Sequence, residues 1–123
     1  MSYNITSFKV KKLNNLIIPI KALENKSKKW EATVNVKNVD TMEVMVECGG
    51  EQSIEGTLKE GNLYVSKIDM YGECSGSYIH DVFKDALKQS TGELEAVAIW
   101  EGGDTVERIS VKDGNFSQEN IDL

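Results

Sequence analysis

Residues 72–112 read GECSGSYIHDVFKDALKQSTGELEAVAIWEGGDTVERISVK. The segment opens on a small-residue loop, GECSGS. An apolar stripe follows, with Tyr78, Val82, Phe83, Ala86 and Leu87 recurring on a 3.6-residue period. His80, Asp81, Lys84, Asp85 and Lys88 fill the opposite side. The pattern predicts an α-helix over about 77–90. Ser77 serves as its N-cap and Asp81 and Lys88 complement its dipole, while Gly92 closes it in the left-handed conformation. Beyond it, Leu94, Ala96, Ala98 and Trp100 share one face of a strand, and the small alanines place that strand directly under the helix. Glu101 to Asp104 turn the chain, and Thr105 to Lys112 return as a second strand with Ile109 and Val111 on one face.

Upstream, residues 3–20 read as a β-hairpin: Phe8 and Val10 alternate with lysines, Asn14-Asn15 offers a turn, and Leu16, Ile18 and Ile20 resume the alternation. Pro19 lacks an amide hydrogen, which places it at an edge or at a strand end. Residues 21–30 read as a polar, Lys-rich loop with room for a helical turn at 21–25. From Thr33 to Tyr71 the alternation describes a β-meander, with turns at Gly49-Gly50 and at Glu60-Gly61-Asn62. KEGNLYVSKID at 59–69 and KDGNFSQENID at 112–122 echo one another, which points to two hairpins built on the same turn chemistry and to a last strand from Phe116. The expected fold is therefore α+β: a curved antiparallel sheet of about seven or eight strands with one main α-helix, about 77–90, packed on it. All 123 residues are expected to form a single domain, 1–123.

Charge is divided unevenly. Residues 1–37 hold eight Lys and two Glu, a net of +6, and the remainder carries −12, so the whole chain stands at −6. An acidic body repels phosphate and argues against nucleic acid as a partner; it favours a basic protein partner, or simply solubility. No apolar run is long enough for a membrane span and no leader pattern opens the chain, so a cytoplasmic location is expected. Cys48 and Cys74 are too far apart for a CxxC pair and read as free thiols.

Chemistry is sparse. Cys74 before a helix start and His80 after it form the one candidate catalytic pair, but no third group orients them, and a structural thiol beside a surface histidine is the plainer reading. The GECSGS loop lacks the lysine of a phosphate loop and carries Glu73 with the wrong charge. A single histidine and two distant cysteines do not make a zinc site, and no calcium-loop spacing occurs. Glu93 and Glu95 could serve as a pair of catalytic acids, but the ordinary reading is a solvated strand face. No catalytic residue, metal or cofactor is therefore expected. The EGGD turn is the stronger feature: Trp100, Glu101, Asp104 and Glu107, with Asp69 and Glu73 before the helix, describe an acidic edge with an aromatic anchor, suited to contact with a basic partner; the plainer reading is an ordinary hairpin turn with its usual polar residues.

The span YGECSGSYIHDVFKDALKQSTGELEAVAIWEGGDTVERISVKDG, with the meander before it, resembles small cytosolic immunity proteins of bacterial toxin systems, including contact-dependent growth inhibition. The resemblance covers the second half of the chain and rests on size, acidity and the WEGGDT hairpin. It implies a non-enzymatic inhibitor that binds and neutralises a toxin domain, often a basic nuclease. The Lys-rich segment 9–29 departs from that uniformly acidic pattern. Two alternatives stand beside it: a small enzyme using Cys74 and His80, and a ligand-binding module with its ligand between helix and sheet, lined by Trp100, Tyr78 and Phe83.

Overall fold

A computed structural model describes residues 5–27, 32–36, 41–47, 51–72, 79–101 and 106–121. Among them, eight strands form one antiparallel sheet: β1 (Ile5–Pro19), β2 (Ala32–Val36), β3 (Thr41–Glu47), β4 (Glu51–Lys59), β5 (Asn62–Tyr71), β6 (Thr91–Trp100), β7 (Val106–Lys112) and β8 (Asn115–Ile121). Their spatial order is β2-β3-β4-β5-β1-β6-β7-β8. The first strand in sequence thus lies in the middle and joins two meanders, β2 to β5 and β6 to β8.

The hairpin expected over residues 3–20 is a single strand of 15 residues. The reason lies in the spacing of its apolar residues. Ile5, Phe8, Val10, Leu13, Leu16 and Ile18 all contribute to the core, at steps of three, two, three, three and two residues. A strand presents every second residue to one face, so each step of three needs one extra residue. The register of β1 on β6 shifts at three places, Ile5/Ser7, Val10/Lys12 and Asn14/Ile17; the first two lie within such steps and the third overlaps the step from Leu13 to Leu16. Asn15, expected to turn the chain, instead takes a positive φ of 51° inside the third irregularity. Beside it, Gly92 sits at φ 87° so close to β1 that a Cβ there would lie 1.9 Å from the Asn15 carbonyl oxygen. Gly92 is therefore the second residue of β6 and not the closing residue of a helix. β1 is central, and Pro19 marks its end rather than an edge.

The α+β expectation of one main helix over about 77–90 is corrected as well. The chain is dominated by its sheet, and its helical segments are short. Residues Ile79–Phe83 wind as a π-helical turn and Lys84–Lys88 continue as a five-residue helix, α2. Ile79, Val82, Phe83, Ala86 and Leu87 are its buried residues, so the stripe runs through Ile79; Tyr78 and Ser77 lie outside the described residues. The segment stops where Ser90 turns back on it, its amide and its hydroxyl both donating to the Leu87 carbonyl. A separate helix, α1 (Ile20–Ser27), occupies the stretch expected to be a Lys-rich loop, and it buries Ile20, Ala22 and Leu23. The segment reads as polar because its five polar residues, Lys21, Glu24, Asn25, Lys26 and Ser27, outnumber these three anchors.

The helical segments and the apolar sheet face enclose one core, in which Phe83, Leu87, Leu94, Ala96 and Ala98 have no exposed surface. Burying side chains the size of Phe83 or Leu87 contributes roughly 2–3 kcal/mol each. The two echoing segments do share turn chemistry: Glu60 and Gly61 (φ 52° and 78°) match Asp113 and Gly114 (φ 47° and 83°), and each pair connects neighbouring strands. No helix among the described residues is long and apolar enough to cross a membrane.

Candidate functional site

On β7 the residues Glu107, Ile109 and Val111 share a face by strand alternation, and that face is the core face. Glu107 therefore points inward, only 3 % exposed, opposite Ala98 on β6 and Asn120 on β8. The π-helical turn carries His80 to the same place. Its Nε2 lies 3.4 Å from Glu107 Oε1, its ring centroid is 5.8 Å from that of Trp100 with a 37° tilt, and the Gln118 side-chain nitrogen is 3.5 Å from the same Nε2. Among the described residues, Glu107 Oε1 accepts no hydrogen bond.

This is an unusual placement for a carboxylate. Burying an ionised carboxyl without a full set of hydrogen bonds or a firm counter-charge is costly. His80 meets the need only in part. A proton on Nε2 stands near Glu107 Oε1 without making a hydrogen bond to it, and requires Gln118 to present its amide oxygen to the ring. A bare Nε2 accepts from the Gln118 amide and leaves Glu107 facing a lone pair. The other cations nearby are engaged elsewhere. Lys84 Nζ lies 5.9 Å from the Phe116 ring centroid, and Arg108 is on the opposite face of the sheet. The π-helical turn at Ile79–Phe83 adds a second signal, because such turns are rare and occur frequently at functional sites.

The structure distributes the acidic-edge residues as follows. Trp100 is half-buried against the core and Glu101 is exposed at the end of β6. Glu107 is buried and turned toward His80, so it does not stand on an exposed edge. Asp69 lies on β5, 44 % exposed in its side chain, and pairs with Lys67 at 3.4 Å. Glu73 and Asp104 lie outside the described residues, as do Cys48 and Cys74. The structure thus brings together Trp100 and Glu107 and adds His80 and Gln118, a grouping not anticipated from the sequence. The signal was available: Glu107 has the same strand parity as Ile109 and Val111.

On the other sheet face, Glu93 and Glu95 are salt-bridge partners. Lys12 Nζ lies 2.7 Å from Glu93, and Arg108 reaches Glu95 at 3.6 Å and Glu119 at 2.6 Å, so charges of alternating sign span β1, β6, β7 and β8. The Glu93 carboxylate holds the Lys12 ammonium above its ordinary value, through its hydrogen bond first and its charge second. An open depression of about 450 Å³ lies at the third irregularity of β1, lined by Asn14, Asn15, Thr91, Lys112 and Asp113 among others. It is shallow and mixed in charge. Among the described residues no three His, Cys, Asp or Glu side chains converge as a metal site requires.

The fold and site together define a sheet-dominated protein with a buried carboxylate, an aromatic ring and a histidine gathered at one end. No family model matches the chain, and neither does any curated protein or any solved structure.

Proposed function

We propose that this chain is a non-enzymatic binding protein of the inhibitor or immunity type, which takes a basic protein, such as a toxin domain, at the end of the sheet where Trp100, His80 and Glu107 meet. The observation that carries the reading is the buried Glu107 carboxylate, with an oxygen that accepts no hydrogen bond among the described residues. A binding protein gains from such a group, because a partner's cation supplies the missing counter-charge in a place where water does not compete. The −12 net charge of residues 38–123 supports the same reading by steering a basic partner to this body of the protein. A cytoplasmic location belongs to this proposal. The test is capture by the tagged protein from its native host lysate at low and high salt, followed by co-expression of the captured protein with this chain. A single basic partner, released by salt and neutralised on co-expression, is expected; no partner at either salt overturns the proposal.

One observation favours a second reading, an enzyme using Cys74 and His80. Glu107 lies 3.4 Å from His80 Nε2 and is a carboxylate of the kind that orients a base, the group this reading lacked in the sequence; Cys74 lies outside the described residues. The discriminating measurement is alkylation of Cys74 by iodoacetamide in a Cys48→Ser background, where the slow rate of an ordinary thiol removes this reading. The third possibility, a ligand between helix and sheet, requires space where Phe83, Leu87, Leu94, Ala96 and Ala98 are fully buried.

A further inference from the structure

Resting on the binding reading above, we infer that the group received at this site is an arginine side chain, whose guanidinium takes the place that the His80 imidazole now holds. His80 presents a flat ring beside the Trp100 ring, with a nitrogen 3.4 Å from Glu107 Oε1 and 3.5 Å from the Gln118 side-chain nitrogen. That is the footprint of a guanidinium: planar, able to lie against an indole, and carrying N–H groups in its plane for a carboxylate and an amide oxygen. An ammonium offers a charge but no plane to lie against Trp100. His80 fills the footprint imperfectly. Its imidazole brings a charge to the carboxylate only when protonated, and its side chain is 36 % exposed beside the buried Glu107. Displacing it opens the way to a carboxylate whose own side chain is 4 % exposed. No described cation competes for Glu107, since Arg108 is held by Glu95 and Glu119 on the far face and Lys84 lies over Phe116. Gln118, exposed on β8, the edge strand of the described sheet, stands at the rim where its amide can turn to accept from an arriving guanidinium.

His80 is the only histidine in the chain, so its imidazole C–H resonances report on the site without assignment ambiguity. The experiment titrates the wild-type protein with N-acetyl-arginine methylamide and, separately, with the citrulline analogue, which keeps the shape and loses the charge. The arginine compound should shift the His80 signals saturably, and the citrulline compound should bind at least about tenfold more weakly, the factor that corresponds to ~1.4 kcal/mol. In Glu107→Gln the arginine-induced shift should disappear. Equal shifts from both compounds, or no shift from either, overturn the inference. The comparison of the two compounds uses wild-type protein alone and does not depend on how the variant folds. If the arginine compound fails while a basic partner is still captured in a salt-sensitive way, the arginine site falls and the binding reading stands. If it binds and no basic partner is captured, the arginine site stands and its place in partner binding falls.

Discussion

The Nε2 of His80 lies 3.4 Å from Oε1 of Glu107, and this contact joins the π-helical turn to β7 across the end of the core. It sets a buried carboxylate against a group that is charged only when protonated. A fold selected for stability alone has a cheaper solution at this position, since apolar side chains of similar volume replace buried charges at little or no cost. On the proposed reading, the arrangement is one of the features that proteins keep for function at some expense in stability.

Lys12 and Glu93 give the clearest pH dependence. The folded state holds Lys12 above its ordinary value of 10.5 because Glu93 hydrogen-bonds and attracts its charged form, with a smaller attraction from Glu95. A group raised on folding contributes its full stability below its unfolded value and loses it as pH rises through the folded value. Urea midpoints on either side of pH 10.5 should therefore fall more steeply for wild type than for Lys12→Met. Both partners touch solvent, so added salt should shrink the difference. Parallel slopes would show that the pair makes no such contribution.

Gly92→Ala tests the crossing of β6 against β1. A Cβ would lie 1.9 Å from the Asn15 carbonyl oxygen, and the φ of 87° is strained for any L side chain. The displaced atoms are backbone, so relief requires moving a central strand. Destabilisation of about 2 kcal/mol or more is expected in chemical denaturation. A loss under about 0.5 kcal/mol would contradict the close approach.

The bulges of β1 make a prediction about deletions. Val10 pairs with Ala96 and Lys12 with Glu95, so Lys11 is the extra residue of the second irregularity. Removing Lys11 should leave a regular ladder with Phe8, Val10 and Leu13 still on the core side. Removing Lys9 instead brings Phe8 and Val10 next to each other and sends one of them to the opposite face. The Lys11 deletion should cost less than about 1.5 kcal/mol, while the Lys9 deletion should cost more than about 3 kcal/mol or fail to fold, as read by circular dichroism and urea unfolding. Equal costs would show that these irregularities do not set the register.

The same strand shows where reading the chain as a sequence succeeds and where it stops. β6 was legible because Leu94, Ala96 and Ala98 alternate without interruption, and β3 and β4 because Met42 to Glu47 and Ile54 to Leu58 do likewise. β1 was not, because a bulged strand breaks the period of two and its Asn14-Asn15 pair carries the composition of a turn. The helix over 77–90 failed for a related reason: the apolar stripe from Ile79 to Leu87 is present, but periodicity does not distinguish a π-helical first turn from an α-helical one. At the site, Trp100 and Glu107 were both singled out by residue type. The charged turn before Glu107 masks its burial, which follows from the parity it shares with Ile109 and Val111. His80 was weighed against Cys74, near in sequence, when its observed neighbours are distant: Trp100, Glu107 and Gln118.

On the proposed reading, the Glu107 carboxylate is kept for a partner's cation and not for the stability of the free protein. The measurement that addresses it most directly is the urea midpoint of Glu107→Gln beside wild type, with no partner present. Glutamine keeps the shape and removes the buried charge, so the variant should be as stable as wild type or more stable, by up to about 1 kcal/mol. A loss of about 2 kcal/mol or more would show instead that Glu107 and a protonated His80 form a structural ion pair, and the account of this site as one held ready for a partner would be wrong.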